Sequence, residues 1–466
     1  MWSKTEIVAA TGGKIAHAGE TTRFGEIVTD STKIKRGSVF VALKGERHDG
    51  HRFVADAVRR GAACVIVDRP VARKILGKAT AVRVRDTLRA LGDLARYRRE
   101  QISPKVLAIT GSNGKTTTKE MVAAIFEEAS LGGARLRGKV LKTEGNFNNL
   151  VGLPLTLLRL RRQHQVAVVE LGTNHPGEIQ RLAQIALPDA AMITSVAAAH
   201  LEGLNSVAGV AREKGTLYRN VRAGGFIAVN LDDPWVRRLG AGFKGRKITY
   251  GKRGQVRARA WRLRGTNGTD FVLEAGRQHC NVRLNYIGQH NVTNSLGAAA
   301  LALGSGVKLP AIRRGLEKAR PFSMRMQIED WQGRGVINDA YNANPASMRA
   351  ALETLAAIDC PGSRIAVLGD MFELGKSSAK EHRQLGKVAA KLNIHALYLL
   401  GNLAMEVRKG ALEGGMRREQ IIIGKDHADL ALQLRERAQK GDWLLFKGSR
   451  GMRMEKILEE LKGGKA

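Results

Sequence analysis

The stretch Thr110-Gly111-Ser112-Asn113-Gly114-Lys115-Thr116-Thr117 constrains this chain more than any other feature. An apolar run, Val106 to Thr110, precedes it, and a helical pattern runs from Thr117 onward. Strand, glycine loop and helix in that order make a phosphate cradle. The glycines let backbone N–H groups turn inward, and the helix N-terminus adds the positive end of its dipole. On this reading Gly111, Ser112, Asn113, Gly114 and Thr117 surround nucleotide phosphates. Lys115 reaches the β- and γ-phosphates, and the Thr116 hydroxyl sits on Mg²⁺. The usual loop has a glycine five residues before its Gly-Lys pair; Ile109 stands there, so this loop is a shortened variant.

Such a loop needs a parallel sheet, and the pattern continues as one. Val166 to Glu170, Ala191 to Val196 and Phe226 to Asn230 read as strands separated by helices. Arg257 to Leu284 reads as an antiparallel meander turning at Thr266-Asn267-Gly268, and a small-residue helix, Val292 to Gly304, follows. Around Ala319-Arg320-Pro321 the helix pattern stops. A second doubly wound unit begins there, with strands Val336 to Asn338, Arg364 to Leu368, Ala396 to Leu400 and Trp443 to Phe446. Before Pro104, short apolar runs (Ser38 to Leu43, Ala62 to Val67) alternate with glycine turns and end on a basic helix, Thr87 to Glu100. The 466 residues thus divide into units 1–103, 104–318 and 319–466, an α/β fold throughout.

Lys and Arg total 77 against 43 Asp and Glu, a net charge of +34 that attracts anions: nucleic acid, acidic membrane or phosphorylated small molecules. The basic residues are scattered. Their densest cluster, Lys252 to Arg283, sets eight Lys and Arg against Asp270 and Glu274 and reads as a solvated meander face. Aromatics at 5 % are too few for base-stacking platforms, so specific nucleic-acid binding is not expected. Cys64, Cys280 and Cys360 show no CxxC spacing and read as free core thiols in a reducing cytoplasm. The longest uncharged stretch, Leu284 to Val307, holds Gln289, His290, Asn291 and Asn294, which a bilayer core would penalise; no membrane span is expected.

Ligands of an open α/β sheet bind outside the carboxyl ends of its strands. Glu170 ends such a strand and is suited to a metal or to a strand-end salt bridge. His200, after the next strand, reads by itself as a packed structural residue, and Lys214, in a helix, as a solvent lysine.

These residues join Thr143-Glu-Gly-Asn-Phe-Asn-Asn149, Gly152-Leu-Pro154 and Gly288-Gln-His-Asn-Val-Thr-Asn294 in a pattern that resembles the Mur ligase family of peptidoglycan synthesis over essentially the whole chain. Asp339-Ala-Tyr-Asn-Ala-Asn-Pro345 with Ser347-Met348, Leu368 to Gly375, His382, and Lys447-Gly-Ser-Arg450 resemble the branch that adds a D,D-dipeptide. So do Asp30-Ser31-Thr32, Phe40 to Glu46 and His48-Asp-Gly-His51 near the start.

The resemblance implies a mixed α/β UDP-binding domain, a central parallel-sheet ATPase domain and a C-terminal Rossmann-like domain in a monomer. It implies joining of D-alanyl-D-alanine to UDP-N-acetylmuramoyl-tripeptide through an acyl phosphate, with ATP giving ADP and phosphate. Carried onto this chain, Lys115, His200 and Lys214 are catalytic. Thr116 and Glu170 hold one Mg²⁺, His200 helps hold a second, and Lys214 matches a lysine that many members carbamylate. Asn291 and Asn294 hold the adenine side of ATP; Arg325 and Asp339 close on the nucleotide. Ser31, Thr32, Asp49, Asn146, Asn148, Asn149, Tyr341, Asn342 and Asn344 bind substrate, although the three asparagines from Asn146 also suit a simple chain turn. Three places depart from the family pattern: Asn338 where Asp is frequent, Thr32 where Arg is frequent, and Ser323-Met324 where Pro/Gly-type residues are common. Two rivals remain, a folylpolyglutamate synthetase-like ligase and a nucleic-acid-binding ATPase.

Overall fold

The computed structural model of the protein describes residues 1–45 and 48–463. Glu46, the last residue of the Phe40 run, lies outside them. In the central nine-stranded sheet, β1 (Lys105–Thr110) leads through the glycine loop into α1 (Lys115–Glu127). β1 lies between β2 (Val166–Glu170) and β3 (Ala190–Ile193), parallel to both. Strand side chains alternate between faces: Leu107 and Ile109 enter the core that α1 covers, whereas Val106 and Ala108 enter the core on the other face. Burial on both faces is why these strands are almost wholly apolar.

Phe226–Asn230 and Arg246–Tyr250 extend the parallel order, and Val256–Leu263, Thr269–Ala275 and Gln278–Leu284 end the sheet as the antiparallel meander. β3 ends at Ile193, short of the expected Val196. The Thr194 amide still donates to the Thr110 carbonyl at 2.9 Å, but the Val196 and Ala197 amides turn to the Asp233 carboxylate and the Ser112 hydroxyl. The Thr194 hydroxyl donates to the Asn113 carbonyl of the glycine loop at 2.5 Å. Three helices matter below: α2 (Val207–Arg219), α3 (Pro234–Ala241) and α4 (Gln289–Gly304). α4 starts three residues before the apolar pattern, so its first turn is the polar Gln289-His290-Asn291.

The N-terminal sheet orders Lys14–His17, Thr80–Arg83, Cys64–Val67, Val39–Val41 and Ile27–Val28, antiparallel only at its first pair. The basic helix after it, Thr87–Ile102, is tied to the central sheet by buried Arg99, which donates to the Ala186 and Leu187 carbonyls (both 3.1 Å) and to Asp189 (2.9 Å). The C-terminal sheet orders Gln327–Trp331, Arg334–Asn338, Trp443–Lys447, Arg364–Gly369, Ala396–Leu400 and Ile421–Ile423, parallel except for its first strand, with α5 (Pro345–Ala356) packed on it. All three cysteines are free, but only Cys64 is a core thiol. Cys280, on the outer meander strand, and Cys360, in a loop, are half-buried, which corrects the core assignment for both. No helix among the described residues is long and apolar enough to cross a membrane.

Candidate active site

The glycine loop is held open by its neighbours. Gly111 has φ +151°, and a Cβ there would lie 1.8 Å from the Thr194 hydroxyl; at Gly114, φ +79°, it would lie 2.3 Å from Asn294 Oδ1. No side chain fits at either position. The Ser112 and Asn113 amides do not turn into the cleft. They donate to the Ser195 carbonyl (2.8 Å) and hydroxyl (3.2 Å), which corrects the reading that the whole loop offers its N–H groups to phosphate. The first turn of α1 supplies them instead. Its ladder begins with the Thr118 amide donating to Gly114, so the amides from Lys115 to Thr117 have no intrahelical acceptor. Lys115 bends back over the loop, its Nζ donating to the Gly111 carbonyl at 2.8 Å. Burial lowers its pKa, and Arg325 adds to that against the opposing pull of Glu170.

Thr116 and Glu170 meet at the carboxyl end of the sheet, the hydroxyl donating to Glu170 Oε2 at 2.8 Å. Asn148 donates to Glu170 Oε1, also at 2.8 Å. Hydroxyl, carboxylate and amide oxygens form the hard donor set that suits Mg²⁺, which keeps several waters and needs only one or two protein carboxylates. No group of three or more His, Cys, Asp or Glu side chains fit to hold a metal occurs among the described residues, so a cation here depends on the substrate's phosphates for further ligands.

The structure separates the three asparagines. Asn148 orients Glu170; Asn149 accepts from the Val151 and Gly152 amides and turns the chain; Asn146 is exposed in the cleft. Lys214, on α2, is 1 % exposed and does not line the cleft, so it is no solvent lysine. Burial, then the charge of Lys115, pushes its ammonium down to about 7 against the pull of Glu213 and Glu170.

The opposite wall comes from the C-terminal unit. Asn344, which caps α5, forms a reciprocal amide pair with Asn113 of the loop (3.2 and 2.7 Å). Arg325 stacks on the Tyr341 ring at 4.0 Å, and its buried Nε has no hydrogen-bond partner. Asp339 accepts from Lys447 Nζ at 2.6 Å and from the Met326 amide at 3.1 Å. Asn291 and Asn294 bond each other at 3.0 Å on one face of α4, with Asn294 against Gly114. These groups enclose about 620 Å³, a volume that suits a nucleotide and part of a second substrate.

Three residues of the expected set lie in the N-terminal unit. Ser31 and Thr32 form a short helical turn capped by Asp30, and Asp49 caps another; both turns pack against the helix Val54–Arg59 of the N-terminal unit. Asp49 accepts from His51 and Arg69, and those bonds hold its carboxyl well below the usual range. The cleft also holds His290, Glu373, Lys447 and Arg450, which the sequence reading did not assign as site residues. All four fall inside motifs quoted above, which is the signal that could have found them.

Residues 109–302 match the family described as Mur ligase middle domain. Residues 324–450 match "Mur ligase, glutamate ligase domain", and residues 23–99 match "Mur ligase family, catalytic domain". The chain is 36 % identical to the UDP-N-acetylmuramoyl-tripeptide–D-alanyl-D-alanine ligase of Escherichia coli (strain K12), over 93 % of each chain. A crystal structure of MurF from Acinetobacter baumannii superposes with a TM-score of 0.90 at 34 % identity, covering 99 % of both chains. MurF ligase from Thermotoga maritima, in complex with ADP, superposes with a TM-score of 0.82 at 28 % identity, covering 94 % of this chain and 97 % of the other.

Proposed function

This chain belongs to the Mur ligase family, and we propose that it is the ATP-dependent ligase that joins D-alanyl-D-alanine to UDP-N-acetylmuramoyl-tripeptide. One observation carries the reading: the reciprocal Asn113–Asn344 pair brings the phosphate loop of one unit against the Arg325, Tyr341 and Lys447 wall of another. A ligase of this kind must hold a phosphoryl donor, a carboxylate and an amine together, and two facing units do that.

The tripeptide carboxylate attacks the γ-phosphorus of ATP. An O–P bond forms, the β,γ-bridging P–O bond breaks and ADP leaves. The dipeptide's free amine then attacks the acyl-phosphate carbonyl; a C–N bond forms, the C–O bond to phosphate breaks and one proton is released. Two anions must meet in the first step, so cationic groups have to offset their repulsion. Lys115 and the α1 amides face the phosphates, and Arg325, with its unpartnered Nε, is free to take an anionic oxygen. Thr116 and Glu170 would hold Mg²⁺, with His200 toward a second; such ions neutralise charge on the transferring phosphoryl group.

Asn291 and Asn294 fit the base side of ATP. Ser31, Thr32 and Asp49 fit the UDP end of the acceptor, and Asn146, Tyr341 and Asn342 fit its peptide end. Lys214 works as a carbamate, formed from its free amine and CO₂ with release of a proton; a buried lysine whose ammonium is destabilised is suited to that chemistry. The units divide at 103/104 and 318/319, and the enzyme acts as a cytoplasmic monomer.

Purified protein should release phosphate from ATP with Mg²⁺, a UDP-tripeptide ending in diaminopimelate or lysine, and D-alanyl-D-alanine. A preference for glutamate or for single D-alanine as the amine donor would overturn the reading.

A further inference from the structure

Helix α2, which carries the buried Lys214, borders a second cavity on the side that faces α3. Between α2 and α3 lies a cleft of about 810 Å³ whose lining shares no residue with the active-site cleft. Ala211, Gly215, Tyr218, Trp235, Leu239 and Phe243 give it an apolar floor and walls. Three aromatics in one cleft is a concentration, in a chain only 5 % aromatic. Gly215 leaves room for Leu239, whose Cδ2 would lie 2.6 Å from any Cβ added there, so the two helices approach closely at the bottom.

The rim has the opposite character. Arg212, Arg219, Arg238 and Lys244 all line the cleft and are exposed. None of the four is among the ion pairs formed by the described residues. A net charge of +34 leaves many surface cations without a carboxylate, and here four of them gather on one rim. Four unpaired cations around an apolar hollow present a charge pattern complementary to a molecule with an apolar body and an anionic head. The hollow has room for a chain of that type.

We propose that the α2–α3 cleft is a binding site for a single-chain anionic amphiphile, its tail between Trp235, Leu239 and Phe243 and its carboxylate on the Arg238 and Lys244 rim. The site is separate from the ligation chemistry, so it stands or fails independently of the proposed function.

Titration calorimetry of the full-length protein with octanoate, decanoate and dodecanoate, each below its micelle concentration, tests this. Saturable one-to-one binding is expected, tightening about fourfold for each added methylene that is buried. Dodecanol, with the same tail and no charge, should bind at least tenfold more weakly. Ala208→Trp, at an exposed α2 position on the cleft, should abolish binding by filling it, and the double variant Arg238→Glu/Lys244→Glu should weaken dodecanoate at least tenfold while leaving dodecanol unchanged. Phosphate release should persist in both variants, which reports an intact fold.

Non-saturating uptake, equal affinity for dodecanol, or dodecanoate binding that survives Ala208→Trp would overturn the proposal. A concentration-dependent dimer abolished by Ala208→Trp, seen by sedimentation, would assign the cleft to a second copy of the chain instead.

Discussion

His200 Nδ1 lies 2.5 Å from Glu373 Oε2, and the Glu373 carbonyl accepts from the amides of Leu201 and Glu202 at 2.9 and 3.3 Å. His200 belongs to the central unit, just after β3; Glu373 belongs to the loop that follows the strand Arg364–Gly369 of the C-terminal unit. Both hold left-handed backbone, φ +55° and +62°, which costs a non-glycine residue about 1–3 kcal/mol. Each residue is kept there by the other's unit, so the contact fixes the ring of His200 as it joins the two walls of the cleft.

Glu373 is therefore expected to position His200. Glu373→Ala should lower kcat by about 10- to 100-fold and raise the Mg²⁺ concentration needed for half-maximal rate, as losing a residue that orients a metal ligand does. Glu373→Gln keeps one hydrogen bond to the ring and should lose less. Unchanged kcat and Mg²⁺ dependence in Glu373→Ala would show that the contact is only structural.

Lys115 is expected to be required for phosphoryl transfer. Its side chain hydrogen-bonds the Gly111 carbonyl and little else, so Lys115→Ala should fold normally while phosphate release falls by at least about 100-fold, the scale of losing one group that stabilises developing charge. Thermal unfolding and steady-state phosphate release, measured on the same preparation, separate the two effects.

Much of the site was legible because loop chemistry is local. The Gly111 to Thr117 run follows from spacing along one strand, loop and helix, and Glu170 from its place at the end of β2, whereas the Asn291–Asn294 pair came with the family resemblance. What stayed hidden depends on contacts between segments distant in sequence. Glu373 meets His200 across 173 positions, and Lys447 meets Asp339 across 108. The burial of Lys214 was equally illegible: its helix has charged neighbours Arg212 and Glu213, and only the packed structure shows Glu213 turned inward to take the Gly177 and Ile179 amides. Strand limits failed where backbone amides turn to side chains off the sheet, as those of Val196 and Ala197 do after β3.

Acid sensitivity should trace in part to His290. Burial pushes its pKa down to about 4; Asp339 opposes that shift and Lys447 adds to it. In the unfolded chain the ring takes a proton near pH 6.5, so between about 6.5 and 4 the unfolded state binds more protons than the folded one. The contribution is complete above about 6.5 and is lost as pH falls through that window. It amounts to about 2 kcal/mol, allowing for the ring's partial exposure. Urea unfolding at stepped pH should show His290→Gln with a shallower loss than the parent; parallel curves would rule the group out.

Lys214 provides the last expectation. An ammonium beside Mg²⁺ would be repelled, whereas a carbamate is an anion that can bind the metal or orient its waters. The free amine needed for carbamylation is available because burial and Lys115 bring the ammonium's pKa down to about 7; below that pH protonation removes it, and CO₂-dependent activity should fall with it. Lys214→Ala should lose at least about 100-fold in turnover, and small carboxylates such as formate or acetate should restore part of it by refilling the anionic slot. The intact mass of the parent protein should carry one carbamate when CO₂ is supplied and trapped by alkylation, and Lys214→Ala should carry none. Near-parental turnover of Lys214→Ala in CO₂-free buffer would return Lys214 to a packing role inside α2.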